Sequence, residues 1–391
     1  MKRFLRVAAF ACKLLLAYFA SFVVKLFSKE KRNIWIIAER GDDARDNGFY
    51  FYEYMRKNHP EQPLYYVIKS TSADAEKVER LGKRIETNSF RHFFYYALSK
   101  VRISSSMWGG DLPHSDYFFK IRKHMSRKRK FVFLKHGIIK DYLPQHCVTS
   151  GNPDIYICGA KPEYEYVKAN FGHPEDVVKY TGLARFDNLH GVKTKNQILV
   201  MPTFRLWLQK KSAEEVAESE YVAAWNQLLN DANIAQMLEE TGLELIFYPH
   251  YVMQKHINSF HTNCEHIHIA KFKDYDVQTL LLESKLLITD FSSVFFDFGY
   301  MEKPVIYYQF DREKYIHGHY DFTKGYFSYD EDGFGDVAFQ HEELISSMEK
   351  VFTNRFVMEQ KYQTRIDKFF ELKDNRNCER IYHEIKGLIS K

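Results

Sequence analysis

Short, uninterrupted apolar runs recur along this chain and alternate with longer segments of helical periodicity. The runs at 33–38, 64–68, 101–104, 131–134 and 154–158 read as strands buried on both faces, as do those at 197–201, 243–248, 286–288 and 304–308. Between them the spacing of apolar positions predicts helices over 49–57, 70–81, 89–98, 161–171, 222–238 and 277–283. Two more, 344–352 and 358–388, close the chain. Such alternation specifies an α/β architecture with parallel sheets. A chain of 391 residues exceeds one ordinary core, so two domains are expected. The polar stretch 188–196 breaks the alternation and supplies the boundary. The chain is therefore divided into an N-terminal segment, 1–32, and two domains, 33–190 and 191–391. No internal repeat or low-complexity tract interrupts them.

Composition narrows the class. Aromatic residues make up 16% of the chain, with 33 Phe and 27 Tyr, which excludes a disordered protein. Five cysteines (Cys12, Cys147, Cys158, Cys264, Cys378) are scattered and form no C-x-x-C pair. That argues for a reducing compartment and against a disulfide framework or zinc ribbon.

The net charge of +5 is modest but unevenly spread. Residues 1–32 carry eight Lys or Arg against a single Glu30, on an otherwise apolar background. The longest charge-free run, 14–24, is 11 residues, short of the ~20 that span a bilayer. No convincing cleavage site follows, so a signal peptide is not favoured. At helical spacing Lys2, Arg6 and Lys13 share one side, which predicts an amphipathic helix lying in an anionic membrane surface. An ordinary helix packed on the protein is the alternative. A second basic run, 120–130, places seven positive residues in eleven. It reads as a solvated loop or as part of the same lipid-facing surface. No nucleic-acid-binding motif accompanies it, so nucleic acid is not an expected partner.

Candidate chemistry gathers at the predicted strand ends. The strand at 286–288 ends in Thr289-Asp290-Phe291-Ser292-Ser293 and leads into an apolar, helix-length segment. Two readings are open: Asp290 or a serine caps that helix, or Ser292 and Ser293 donate to a phosphate at its first turn. The strand at 131–134 ends in Lys135-His136-Gly137. It sets an imidazole, able to take a proton near neutrality, at the rim of a sheet, and Gly137 permits close backbone approach. His250, after Pro249, stands at another strand end. Thr203 and Arg205 follow a third, where a hydroxyl and a guanidinium suit a pyrophosphate. The polar turn 39–48 is not G-x-G-x-x-G, which removes the main support for a nicotinamide site. His261, Cys264, His266 and His268 lack metal-ligand spacing. Asp274 and Asp276 precede a helix and read as its cap. No metal is expected.

The block Asp290-Phe291-Ser292-Ser293-Val294-Phe295-Phe296-Asp297-Phe298, followed by Lys303-Pro304-Val305-Ile306, resembles the motif of the CDP-glycerol glycerophosphotransferases, enzymes that build teichoic acids and related capsules. Lys135-His136-Gly137, Gly182-Leu-Ala-Arg185-Phe-Asp187, Pro202-Thr203-Phe204-Arg205 (Phe replacing the family's Trp) and Pro249-His250 resemble further elements of the family, and of its smaller, primase-like members. The resemblance implies a GT-B-like fold of two Rossmann-like domains facing across a cleft, the first holding the acceptor and the second a CDP-polyol. It also implies that the last helix can cross back to the first domain. The reaction implied is transfer of a polyol phosphate, glycerol phosphate favoured, to a hydroxyl of a lipid-linked or capsular saccharide, with release of CMP and no resident cofactor. His136 and His250 take the catalytic roles implied by the family. Arg205, Thr203, Ser292, Ser293, Asp290, Gly137 and Arg185 are the implied substrate-binding residues, with Asp290 holding the turn. A peripheral position on the cytoplasmic face of the membrane follows. CDP-ribitol as donor, a nucleotide-sugar transferase of the same architecture and a non-catalytic membrane scaffold remain the alternatives.

Overall fold

The computed structural model of the protein describes residues 2–27, 33–112, 129–272, 274–318 and 323–390. Most of the basic run at 120–130 lies outside the described residues. Its last two members are structural: Arg129 is buried and donates to the carbonyl of Ala97 (3.2 Å), and Lys130 pairs with Asp154 (2.9 Å).

The chain divides into two compact units, Met1–Ile138 with Leu143–Asn188 and Asp374–Lys391, and Ile139–Tyr142 with Leu189–Lys373. The first is built on a seven-stranded sheet of β1 (Trp35–Ala38), β2 (Leu64–Val67), β3 (Arg84–Ile85), β4 (Val101–Ser104), β5 (Lys130–Phe133), β6 (Ile155–Cys158) and β7 (Val178–Tyr180), in the order β3-β2-β1-β4-β5-β6-β7. The second has six strands, β8 (Gln197–Val200), β9 (Glu244–Phe247), β10 (Ile267–Ile269), β11 (Leu286–Thr289), β12 (Val305–Tyr308) and β13 (Gly335–Ala338), in the order β10-β9-β8-β11-β12-β13. All the pairings are parallel. Each sheet has the Rossmann-like order 3-2-1-4-5-6, and the architecture is GT-B-like. The four-residue apolar strands are buried along their whole length because helices cover both faces. In the order of both sheets, the point where the strand sequence reverses lies beside the first strand, between β1 and β4 and between β8 and β11. There the strand ends diverge and leave room for ligands.

The structure departs from the expected elements in four places. The helix expected at 222–238 is two, Glu220–Leu229 and Ala232–Thr241, because Asp231 turns its carboxylate onto the N–H groups of Asn233 and Ile234 and starts a second helix. The strands β3, β7 and β10, of two or three residues, are too short to show a period, and β13 is Gly-Asp-Val-Ala and presents no apolar run. The segment 358–388 is also two helices, Gln360–Phe369 and Asn377–Ser390. The fourth departure concerns the domain expected at 191–391. Its last residues, Asp374–Lys391, belong to the first unit. Asp187 causes this: it accepts the N–H groups of Asn377 and Cys378 at 2.8 Å each, and the helix they open buries Cys378, Ile381 and Ile385. Gly182 takes φ +80°, and a Cβ there would sit 1.8 Å from the Asn377 side chain.

The N-terminal helix runs Lys2–Phe27 and packs on the helix Phe90–Leu98 of the first unit. Lys13 was expected on a lipid-facing basic side. Its ammonium instead donates to the Asn88 carbonyl (3.3 Å), and that of Lys25 to the Ala97 carbonyl (2.9 Å). With both lysines turned inward, the outer face over residues 15–27 is an uncharged stripe of Leu15, Leu16, Phe19, Phe22, Leu26 and Phe27, with Phe19 69% and Phe27 85% exposed. By length and composition Ala8–Phe27 is long and apolar enough to cross a membrane.

Candidate active site

In the first unit the candidate residues meet beyond the C-terminal ends of β1, β5 and β7. β5 ends in Lys135, held at φ +62°, a left-handed conformation uncommon outside glycine. Gly137, expected to permit close backbone approach, follows His136 in this turn, and the left-handed residue is Lys135. A buried ion pair of Lys135 with Glu163 holds it, and Glu163 also accepts the Gly159 N–H (2.7 Å). The turn projects the His136 imidazole outward, with its side chain 72% exposed. Its Nδ1 meets Asp46 Oδ2 at 2.5 Å. The Asp46 carboxylate raises the imidazole above its ordinary value, against the opposing charges of Arg185 and Arg40. Burial alone would raise Asp46, but the imidazole and Arg185 hold it below the usual carboxylate range.

Arg185 donates to Asp46 Oδ1 (3.2 Å) and to the His136 carbonyl, and its N–H reaches Asn47 Oδ1 (3.0 Å). It braces the His136 turn. Asn47 in turn donates to the Lys135 carbonyl (2.9 Å). Beneath them Glu39, at the end of β1, is buried and accepts the N–H groups of Arg45, Asp46 and Phe49 at 2.8–2.9 Å. Burial and the neighbouring Asp46 and Asp43 push Glu39 up to about 8.

The second unit collects its candidates at the ends of β8, β9, β11 and β12. Arg205, expected to meet a phosphate, is fully buried. Its guanidinium grips Asp311 through Nε (2.7 Å) and Nη2 (2.8 Å), and Asp290 Oδ2 (2.8 Å) and the Thr203 carbonyl (2.7 Å) through Nη1. Burial disfavours its charge, but the two carboxylates hold the guanidinium protonated. Asp290, also fully buried, accepts the N–H groups of Thr203 (2.8 Å) and Phe291 (2.6 Å), and Gln309 donates to its carbonyl (2.9 Å). Arg205 and Asp290 are thus the floor that fixes the turn, not groups presented to a ligand. Satisfying two carboxylates requires a forked donor, which explains Arg rather than Lys.

On that floor sit Ser292 and Ser293, both half-buried. The helix that follows, Phe295–Tyr300, is six residues long and has no side-chain cap. That removes the capping reading and, with so short a helix, most of the dipole argument. Among the described residues, the hydroxyls of Ser292 and Ser293 and the backbone N–H groups of Ser292, Ser293 and Val294 have no protein partner, nor does the Thr203 hydroxyl. A cluster of unmet donors on one turn suits an anion.

His250 stacks on Phe204 (4.7 Å, 25°) and lies 4.5 Å from the Tyr251 ring. Its Nδ1 accepts the Val252 N–H at 3.3 Å. The proton of the neutral ring is therefore on Nε2, which makes His250 a donor. His136 is arranged the other way: Nδ1 donates to Asp46 and Nε2 carries the lone pair.

Asp276 caps the helix Val277–Glu283 through the Thr279 N–H (3.0 Å). His266 and His268 both turn to Glu244 (3.1 and 2.6 Å). Among the described residues no set of three or more His, Cys, Asp or Glu is placed to hold a metal ion. A separate cavity of about 690 Å³ beside β13, lined by Asp336, Glu342, Lys361 and Arg365 among others, contains none of the site residues.

The sequence reading missed Glu39, Asp46, Asn47, Gln309 and Asp311. The dense run of polar residues at 39–48 was the one available signal, and it was read as a turn that resembles the Gly-Asp-Ala-Arg-Asn-rich opening of the smaller glycerophosphotransferases, with no role for its carboxylates.

The family model for CDP-Glycerol:Poly(glycerophosphate) glycerophosphotransferase matches residues 17–387. The minor teichoic acid biosynthesis protein GgaB of Bacillus subtilis (strain 168) is 32% identical over 391 residues, 96% of this chain and 42% of GgaB. The teichoic acid poly(glycerol phosphate) polymerase of the same organism is 24% identical over 399 residues, 92% of this chain and 51% of its own. The chain spans about half the length of these relatives, or less. A solved structure of the wall teichoic acid polymerase TagF shares its fold, with a TM-score of 0.66 at 17% identity, over 100% of this chain and 99% of that one.

Proposed function

Because the chain belongs to the CDP-glycerol:poly(glycerophosphate) glycerophosphotransferase family, we propose that it transfers a polyol phosphate from a CDP-activated donor to a saccharide hydroxyl in teichoic acid or capsule synthesis. Glycerol phosphate is the polyol phosphate of this reading. The observation that carries it is the turn at Ser292-Ser293, whose hydroxyls and N–H groups have no partner among the described residues. A diphosphate supplies the acceptors they lack.

The acceptor oxygen attacks the phosphorus next to the polyol as the bond from that phosphorus to the CMP oxygen breaks. His136 Nε2 takes the hydroxyl proton, and CMP leaves with the bonding pair. Ser292, Ser293, Thr203 and the Nε2–H of His250 donate to the phosphate oxygens. They balance charge on a transition state that needs positioning more than covalent help. No resident cofactor or metal enters this scheme.

The acceptor is a lipid-linked or polymeric saccharide, and the protein works peripherally on the cytoplasmic face of the membrane. The uncharged outer stripe from Leu15 to Phe27 supports that position, since its apolar side chains gain by entering a bilayer surface.

The test is CMP release from CDP-glycerol and from CDP-ribitol, with and without a lipid-linked saccharide. Acceptor-dependent release from one donor supports the reading and names the polyol. Absence of release from either, over a range of acceptors, sinks it. His136→Ala is expected to abolish turnover while CDP-glycerol binding persists; normal turnover in that variant removes the general base.

A further inference from the structure

We infer that Asp46 is the positioning residue of the His136 base, and that Glu39 builds the loop that presents it. This rests on the assignment of His136 made above. Asp46 stands at the N-cap of the helix Asn47–Asn58, yet its carboxylate spends little on that helix. One oxygen accepts the Asn47 N–H (2.7 Å) and Arg185, and the other is given wholly to His136 Nδ1. It is 13% exposed while the imidazole is 72% exposed. The base is therefore held from behind and left open in front. An acceptor at Nδ1 fixes the tautomer whose lone pair lies on Nε2, the exposed edge, and stabilises the imidazolium formed when the proton arrives.

The loop is built for this purpose from three sides. Glu39 gathers the N–H groups of Arg45, Asp46 and Phe49 from below. Asn47 ties the loop to the Lys135 carbonyl, and Arg185 ties it to the His136 carbonyl. The charged groups facing the imidazole are Asp46 from the helix start, Arg185 from the turn Ala184–Asn188 and Arg40 from the loop after β1. Lys135, next in sequence, is turned away to Glu163. Asp46 is thus the only carboxylate in contact with the ring among the described residues.

A helix cap alone makes a different forecast. Asn and Ser cap helices about as well as Asp, so Asp46→Asn and Asp46→Ser would then behave like the parent. As a positioning residue, Asp46 predicts a fall in kcat of about 10²–10⁴-fold in both, the scale of general-base catalysis, with KM for CDP-glycerol within about twofold. It also predicts that the acid limb of the kcat–pH profile moves to lower pH, because the imidazole loses the carboxylate that raises it. NMR titration of His136 in the full chain reads the same shift without turnover, and Asp46→Glu recovers part of the rate. Parental kcat and pH profile in both cap-preserving variants, alongside an inactive His136→Ala, overturn this inference and leave the base intact. Should one variant fail to fold, the other carries the comparison. An active His136→Ala is a separate result that removes the base itself.

Discussion

Replacing Arg205 with Met removes one guanidinium and strands two carboxylates. Arg205 and Asp290 are fully buried and Asp311 nearly so, and the four hydrogen bonds of the guanidinium join the ends of β8, β11 and β12. Breaking a buried ion pair by deleting one partner costs about 3–5 kcal/mol, because the remaining charge has neither solvent nor counter-charge. Asp290 keeps the N–H groups of Thr203 and Phe291, which compensates it in part. Asp311 loses both of its bonds to Arg205, so the lower half of that range is expected. With a urea m-value of ~2 kcal/mol per M, a loss of ~3 kcal/mol moves the midpoint by ~1.5 M. Trp225, fully buried in the core of the second unit beside Phe247 and Tyr308, reports that unit's unfolding by fluorescence. Arg205→Lys keeps a charge but cannot fork between two carboxylates, and it should fall between parent and Met. If Arg205→Met kept the parental midpoint and lost only CDP-glycerol binding, the guanidinium would have to face the ligand. The argument for a buried floor would then be refuted.

Two further outcomes follow from the same geometry. Ser292→Ala and Ser293→Ala should each weaken CDP-glycerol binding by about 1.5 kcal/mol, roughly tenfold in Kd by calorimetry, the value of a hydroxyl donating to an ionised oxygen. The melting temperature should hold, since neither hydroxyl has a partner among the described residues; a fall in melting temperature with parental Kd would return them to a capping role. Phe19→Glu with Phe22→Glu, on the exposed stripe of the N-terminal helix, should abolish sedimentation with phosphatidylglycerol vesicles and leave the unfolding midpoint in place. Burial of each ring is worth ~1.5–3 kcal/mol, so the pair shifts partitioning by ~100-fold or more, and undiminished vesicle binding would move the membrane contact elsewhere.

Much of the site was legible because the information is local. An apolar run followed by a polar residue marks a strand end, and in a parallel sheet strand ends are where ligands bind. That pattern placed His136, His250 and Ser292-Ser293 at strand ends, and their roles came from the resemblance to the glycerophosphotransferases. Short local patterns also gave the central strands of both sheets, since β1 is apolar throughout and β8 and β11 each carry a single polar residue, at one end.

What the sequence determined alone was which residues lie at strand ends and, through strand–helix alternation, the class of fold. Tertiary structure decided which strand-end groups face a ligand and which serve each other. Arg205 and Asp290 are 85 residues apart, Arg205 and Asp311 106, and Asp46 and His136 90. Nothing within a window of helical or strand period couples such positions. The same holds for the last helix, drawn to the first unit by Asp187, 190 residues before its first residue, Asn377. Periodicity reports burial against the nearest layer. The choice of ionic partner depends on where the chain brings distant charges out of water together, and only the folded backbone fixes that distance.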